Sequence, residues 1–245
     1  MGDDRSELEE LRAQLRRREA EAAEKESQLQ RYAADLRETF KQERARAQQL
    51  RDSYVATVRA LANAVEARDA YTGKHAERVA AYGLRIARAH GTRMADDAQV
   101  EFGFLLHDIG KVAIPDAILF KPDRLDGAER ALMERHAHIG WEILRDIDWL
   151  GEAKLVVRHH HERWDGAGYP DRLTGDAIPL PARVFAVADT LDALTSDRPY
   201  RPAKALPAAR MIIAADTGTQ FDPAVVEAFD RIGDSELADI QREHS

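Results

Sequence analysis

The chain has 245 residues, 44% of them hydrophobic and 33% charged, with a formal net charge of −8. That size suits one globular domain carrying an extended charged element, and the acidic balance argues against a nucleic-acid polymer as partner, which needs a basic face. Cysteine is absent, so disulfides and thiolate-held metals are excluded, and any ion must sit on His and carboxylate ligands.

No apolar run is long enough to cross a bilayer, and the acidic start MGDDRSELEE lacks the basic-then-apolar order of a secretory signal. The expected location is the cytoplasm. Residues 1–55 lack Pro, have no Gly after Gly2, and place Leu8, Leu15, Ala22, Leu29, Leu36 and Leu50 on a seven-residue period broken by Glu43. The companion positions, Leu11, Arg18, Lys25, Tyr32, Thr39 and Arg46, are largely polar. This is a coiled-coil pattern whose stripe one helix cannot bury alone, so a parallel homodimer is expected. Phe40, Tyr54, Val58, Leu61 and Val65 carry the apolar face onward, so the rod is expected to run into the first helix of the domain.

From residue 56 to about 235 the apolar spacing is helical. Helices are expected over 72–90, from 96 or 97 to 110, and over 126–136, 138–145, 152–161, 182–195, 203–215 and 223–231. Long alternating strand patterns are missing, and residues 236–245 read as a C-terminal tail. The fold class is all-α.

Eight of the nine histidines fall between His75 and His161. His107-Asp108 follows the apolar run Phe102-Gly103-Phe104-Leu105-Leu106, His159-His160-His161-Glu162 ends a helix that begins apolar, and Asp189 lies amid core residues. Ionisable groups buried without partners cost several kcal/mol, so these need either a shared metal or a closed hydrogen-bond network.

The segment His107-Asp108-Ile109-Gly110-Lys111, with His160-His161-Glu162-Arg163-Trp164-Asp165-Gly166-Ala167-Gly168-Tyr169-Pro170, resembles the HD-GYP family of metal-dependent phosphohydrolases. Further matching blocks are Ile114-Pro115-Asp116, Ile178-Pro179-Leu180, Asp189-Thr190-Leu191-Asp192-Ala193-Leu194-Thr195, Arg198-Pro199-Tyr200-Arg201 and Gly218-Thr219-Gln220-Phe221-Asp222-Pro223. The resemblance implies an HD-type helical bundle behind the coiled coil. It also implies a phosphodiesterase that opens c-di-GMP with a metal-bridging hydroxide, the end product being either linear pGpG or, after a second cleavage, GMP.

By position, it implies metal ligation by His75, His107, Asp108, His136, His160, His161 and Asp189. Lys111 resembles the family lysine at the scissile phosphate or nucleophilic water. Asp192 is expected to orient Lys111 or a ligand histidine, Arg198 and Arg201 to contact phosphate, and Tyr169 to shape the pocket. His138 and His159 fall off the ligand positions and read as neighbours or surface groups. Tyr71 stands where some members carry a Glu that helps hold a third metal, so two divalent ions, Fe or Mn, are expected. A sensor in an upstream domain or partner is the expected input. A catalytically silent c-di-GMP receptor, or hydrolysis of another cyclic dinucleotide, would use the same residues.

Overall fold

The computed structural model describes residues 3–68, 74–197 and 201–244, with side chains described from Glu9 onward. Two expectations, the Tyr71 position and Arg198, lie outside the described residues. The chain divides into two compact units, residues 1–54 and 55–245. The described residues of the first lie within helix α1 (Asp3–Glu66), and the stripe residues Leu11, Leu15, Leu29, Tyr32, Leu36 and Leu50 are all exposed. The last turns of α1 belong to the second unit, where Val58 and Ala62 are buried in the core.

The second unit is a helical bundle with no named strand among the described residues. It comprises α2 (His75–His90), α3 (Ala98–Leu105), the short α4 (Asp116–Leu119), α5 (Gly127–Leu144) and α6 (Ala153–His159). The chain continues through α7 (Leu180–Thr195), α8 (Leu206–Ala215), α9 (Pro223–Asp230) and α10 (Asp234–Glu243). Helix α7 is the centre: Val184, Phe185, Val187, Ala188 and Leu191 are completely buried, and α2, α6, α8 and α9 all pack against it. Each large apolar side chain so buried stabilises the fold by about 1.5–3 kcal/mol. Val79, Tyr82 and Ile86 at helical spacing form the buried stripe of α2, which Gly91 ends in a left-handed turn (φ 83°).

Several boundaries differ from the sequence expectation. The two helices expected over 126–136 and 138–145 are one, α5, started by a capping box between Asp126 and Glu129. Nothing at Ala137 interrupts it, because Ala137 is a good helix former packed in the interior. Helix α3 stops at Leu105 rather than running to Gly110. His107 and Asp108 follow it in a turn, and a 3-10 helix then runs over 109–113. Helix α6 likewise stops at His159, which leaves His160 and His161 just past its end. The residues read as a tail are mostly in α10, which docks through buried Leu237 and a Gln241 Nε2 bond to the Thr195 carbonyl (2.9 Å).

Gly110 sets the most important approach. A Cβ there would overlap the His136 carbonyl oxygen and come within 2.6 Å of the Gly140 amide nitrogen. The 109–113 turn therefore lies directly on α5, and this brings Asp108 and Lys111 onto His136.

Candidate metal centre

The expected ligands come from five elements: His75 opens α2, His107 and Asp108 follow α3, His136 lies on α5, His160 and His161 follow α6, and Asp189 lies on α7. They converge. His107 Nε2 is 3.1 Å from Asp108 Oδ2, His136 Nε2 is 3.3 Å from Asp108 Oδ1, and His75 Nε2 is 3.5 Å from Asp189 Oδ1. The His107 ring lies 5.5 Å from that of His75 and 5.3 Å from that of His160, centroid to centroid. His136, His160 and His161 bring one nitrogen each within 4.8 Å of one another.

The outer nitrogens of four rings are already engaged. His107 Nδ1 meets the Phe104 carbonyl at 2.9 Å, His136 Nδ1 that of Met133 at 2.7 Å, and His160 Nδ1 that of Val157 at 2.8 Å. A carbonyl only accepts, so each Nδ1 carries the proton and each Nε2 turns a lone pair inward. Asp192 does the same for His75, with Oδ2 at 2.7 Å from Nδ1. Asp192 therefore fixes the orientation of the His75 ring. Arg78 holds Asp192 in turn, donating from Nε to Oδ1 at 2.6 Å and from Nη2 to Oδ2 at 3.3 Å.

Burial, then the neighbouring rings of His161, His136 and His107, pushes His160 well below the ordinary histidine range. Burial also lowers His136, and takes His161 to about 3 with help from His136. For His75 burial works in the same direction, but its Asp192 bond and nearby Asp189 carry it upward. Burial opposes charge on Asp108, yet His107, Lys111 and His136 hold it well below the usual carboxylate range.

These facts test the fit of a metal. His136 Nε2 and His160 Nε2 face each other at 3.2 Å. With both Nδ1 atoms protonated, two lone pairs meet in a buried space beside an ionised carboxylate. That is unfavourable unless a cation is shared between them. Neutral imidazoles with a carboxylate are the donor set of a first-row divalent ion. The residues fit.

Lys111 sits on the 109–113 turn with Nζ 2.8 Å from Asp108 Oδ2. The Tyr169 ring stacks on that of His161 (4.6 Å between centroids) and forms part of a cavity of about 280 Å³ beside the histidines. Arg130, Glu134, Asp189 and Gln220 also line this cavity. Arg201 donates from Nη2 to the Ala193 carbonyl, at the end of α7.

Of the two neighbouring histidines, His159 departs from the surface reading and the partly exposed His138 does not. His159 is buried rather than on the surface, with Nδ1 3.5 Å from Asp171 and 3.9 Å from Glu162. Although His159, Glu162 and Asp171 are close enough to share an ion, both carboxylates already have partners. Glu162 accepts from the amides of Asp171 (2.7 Å) and Leu173 (3.1 Å), and Asp171 from Arg158 (2.7 and 2.9 Å). This group pins the loop that carries Tyr169. The sequence reading gave Glu162 no role of its own, and its place directly after the paired histidines was the available signal. His138 is the other neighbour, accepting from Arg158 Nη1 at 2.8 Å and stacking on Trp141.

The family pattern described as "HD domain" matches residues 59–225. The chain belongs to the HD domain family. Among its relatives, it is 43% identical over 180 residues to 3'3'-cGAMP-specific phosphodiesterase 2 of Vibrio cholerae, a match covering 73% of this chain and 34% of that protein. It is 42% identical over 186 residues to the cyclic di-GMP phosphodiesterase response regulator RpfG of Xanthomonas campestris, covering 75% of this chain and 49% of the relative. A Thermotoga maritima cyclic di-GMP phosphodiesterase is 41% identical, covering 72% and 48%. The chain thus spans about a third to a half of these relatives' lengths. The HD fold recurs in a V. cholerae cyclic GMP-AMP phosphodiesterase structure (TM-score 0.54, 18% identity, 77% of this chain and 55% of that one). It recurs also in the Listeria monocytogenes PgpH HD domain crystallised with cyclic-di-AMP (TM-score 0.52, 18% identity, 75% and 96%). No described helix is long and apolar enough to cross a membrane.

Proposed function

We propose that this HD domain is a cyclic-dinucleotide phosphodiesterase of the cytoplasm, acting on c-di-GMP and releasing linear pGpG, with or without a second cleavage to GMP. The observation that carries the reading is the pair of inward lone pairs on His136 and His160, 3.2 Å apart beside ionised Asp108. That arrangement calls for cations at the place where the related phosphodiesterases share sequence with this chain. Two divalent ions, Fe or Mn, would be held by His75, His107, Asp108, His136, His160, His161 and Asp189, and would supply Lewis acidity and activation of water.

The remaining residues bind and orient. Lys111, held at Asp108, sets a positive charge where the phosphoryl oxygens gain negative charge. Tyr169 forms a wall against His161, and Arg198 and Arg201 supply contacts to phosphate. Asp192 keeps the Nε2 of His75 turned to the metals. The N-terminal helix makes a homodimer and passes on a signal from an upstream sensor.

The test is anaerobic reconstitution with Fe(II) or Mn(II), incubation with c-di-GMP and chromatographic separation of products. Linear pGpG, with or without GMP, is expected. Tight binding with no product under either metal would make the domain a receptor and overturn the enzymatic reading.

A further inference from the structure

The relatives divide between a substrate with two guanines and one with a guanine and an adenine, which raises the question of how this chain reads a base. Glu134 lies on α5 and lines the cavity of about 280 Å³ that also touches His160, His161 and Asp189. It is half-buried, and its carboxylate has no hydrogen-bond or ion-pair partner among the described residues. It also stands outside the close histidine grouping of His136, His160 and His161. An acidic group is out of place here on electrostatic grounds, because the proposed ligand is a dianion. Covering a half-buried carboxylate with a ligand that offers it no donor costs more than doing so to a neutral polar group. The group must therefore meet hydrogen-bond donors on the ligand, and the donors of a cyclic dinucleotide that lie far from its phosphates are on its bases.

We infer that Glu134 is a specificity-determining residue that accepts from the Watson–Crick edge of a guanine seated in this cavity. Guanine presents two adjacent donors there, N1–H and the N2 amino group, which match the two oxygens of one carboxylate. Adenine presents one donor, the N6 amino group, beside the N1 lone pair, and that lone pair meets the carboxylate as a repulsion. The cavity is smaller than the roughly 300–1,000 Å³ of pockets that enclose a whole drug-sized ligand, so it takes part of the dinucleotide. His160, His161 and Asp189 line the same cavity, so a base on Glu134 leaves the adjoining phosphate near the proposed metal site. One guanine is enough, so c-di-GMP and 3'3'-cGAMP are both admitted while c-di-AMP is rejected.

This inference rests on the phosphodiesterase reading, and the test separates the two. The metal-loaded full chain and Glu134→Gln are compared for kcat/KM on c-di-GMP, 3'3'-cGAMP and c-di-AMP. The ratio between substrates on one preparation is the readout, because losses of metal or fold cancel in it. The wild type is expected to favour c-di-GMP over c-di-AMP. The Gln amide, with one donor and one acceptor, matches adenine, so the ratio in Glu134→Gln should fall on the order of ten- to a hundredfold, as for one charged hydrogen-bond pair. An unchanged ratio, with all substrates falling together or none, overturns the guanine assignment and leaves the phosphodiesterase standing. So does a wild type that hydrolyses guanine and adenine dinucleotides alike. A wild type that hydrolyses none of them overturns both.

Discussion

Asp192 contacts a proposed ligand, His75, without itself occupying a proposed ligand position. It accepts a hydrogen bond from His75 Nδ1 at 2.7 Å and is gripped by Arg78 at 2.6 Å, with Asp192 itself almost fully buried. Asp192→Asn keeps the shape but removes the charge that fixes the His75 ring, so divalent-ion affinity should fall about 10- to 100-fold. Titrating metal-free protein with Mn(II) by calorimetry checks this, and equal affinities would show that His75 needs no such support. Lys111→Met is expected to behave differently. It leaves the proposed metal ligands in place and removes the charge proposed to face the reacting phosphate, so kcat should drop on the order of 10²–10³ while metal content by elemental analysis stays the same. The histidines also fix a direction with pH. His136, His160 and His161 titrate lower folded than their ordinary value of 6.5, which the unfolded chain keeps. Below that value the unfolded state takes up protons that these rings refuse, so metal-free protein loses stability as pH falls from 7.5 toward 5.5. His75, displaced upward, offsets part of the loss. A drop in Tm on the order of 5 °C across that interval is the expected result of a thermal scan.

At the scale of elements, the centre depends on how closely the 109–113 turn lies on α5. Gly110→Ala would drive a methyl group into the His136 carbonyl oxygen, a backbone atom that cannot step aside. The turn must lift, at a cost of 1–3 kcal/mol or more, and Asp108 leaves His136 with it. Denaturant unfolding should show a lower midpoint, and the variant should bind fewer ions per chain; full stability would mean that the turn has room to spare. The sequence announced the helical class through its spacing, and the need of buried ionisable residues for partners singled out His107-Asp108, His159-His160-His161 and Asp189, whereas His75 and His136 entered only through the family resemblance. It did not announce why His107-Asp108 and His160-His161 bind as pairs. The expectation was adjacent positions on a regular helix, whereas both pairs lie just beyond helix ends, at Leu105 and His159. Helix ends there are set by contacts distant in sequence, Gly110 against Gly140 among them. Residues 236–243 were unreadable as structure for a similar reason, since a short polar helix gains its stability from burying Leu237 against the bundle rather than from its own pattern.

At the scale of the whole molecule, residues 1–54 pose a question that the domain does not answer. Leu29 and Leu36 are 67% and 69% exposed, and Leu15 and Leu50 on the same seven-residue period are exposed as well. A helix this long and polar, with few tertiary contacts, gains little from propensity alone, and its apolar stripe is stabilising only when a second helix covers it. A second copy of the chain is the partner supported by the heptad period, because in a parallel pair each leucine meets its own counterpart at the same height. Covering these leucines contributes about 1.5–3 kcal/mol apiece, against the polar seam positions Arg18, Lys25 and Arg46, which weaken the pairing. Charge at the seam should reverse that balance. The double substitution Leu29→Lys with Leu36→Lys is expected to turn a dimer into a monomer in sedimentation velocity at micromolar concentration, with the thermal transition of the HD bundle little changed. A dimer that persists would move the interface to the bundle itself. If turnover falls along with the dimer, although both substitutions lie outside the catalytic unit, helix pairing also sets the state of the metal centre. The same helix enters that unit, where Glu66 near its end accepts a hydrogen bond from the Ala76 amide, one residue past His75.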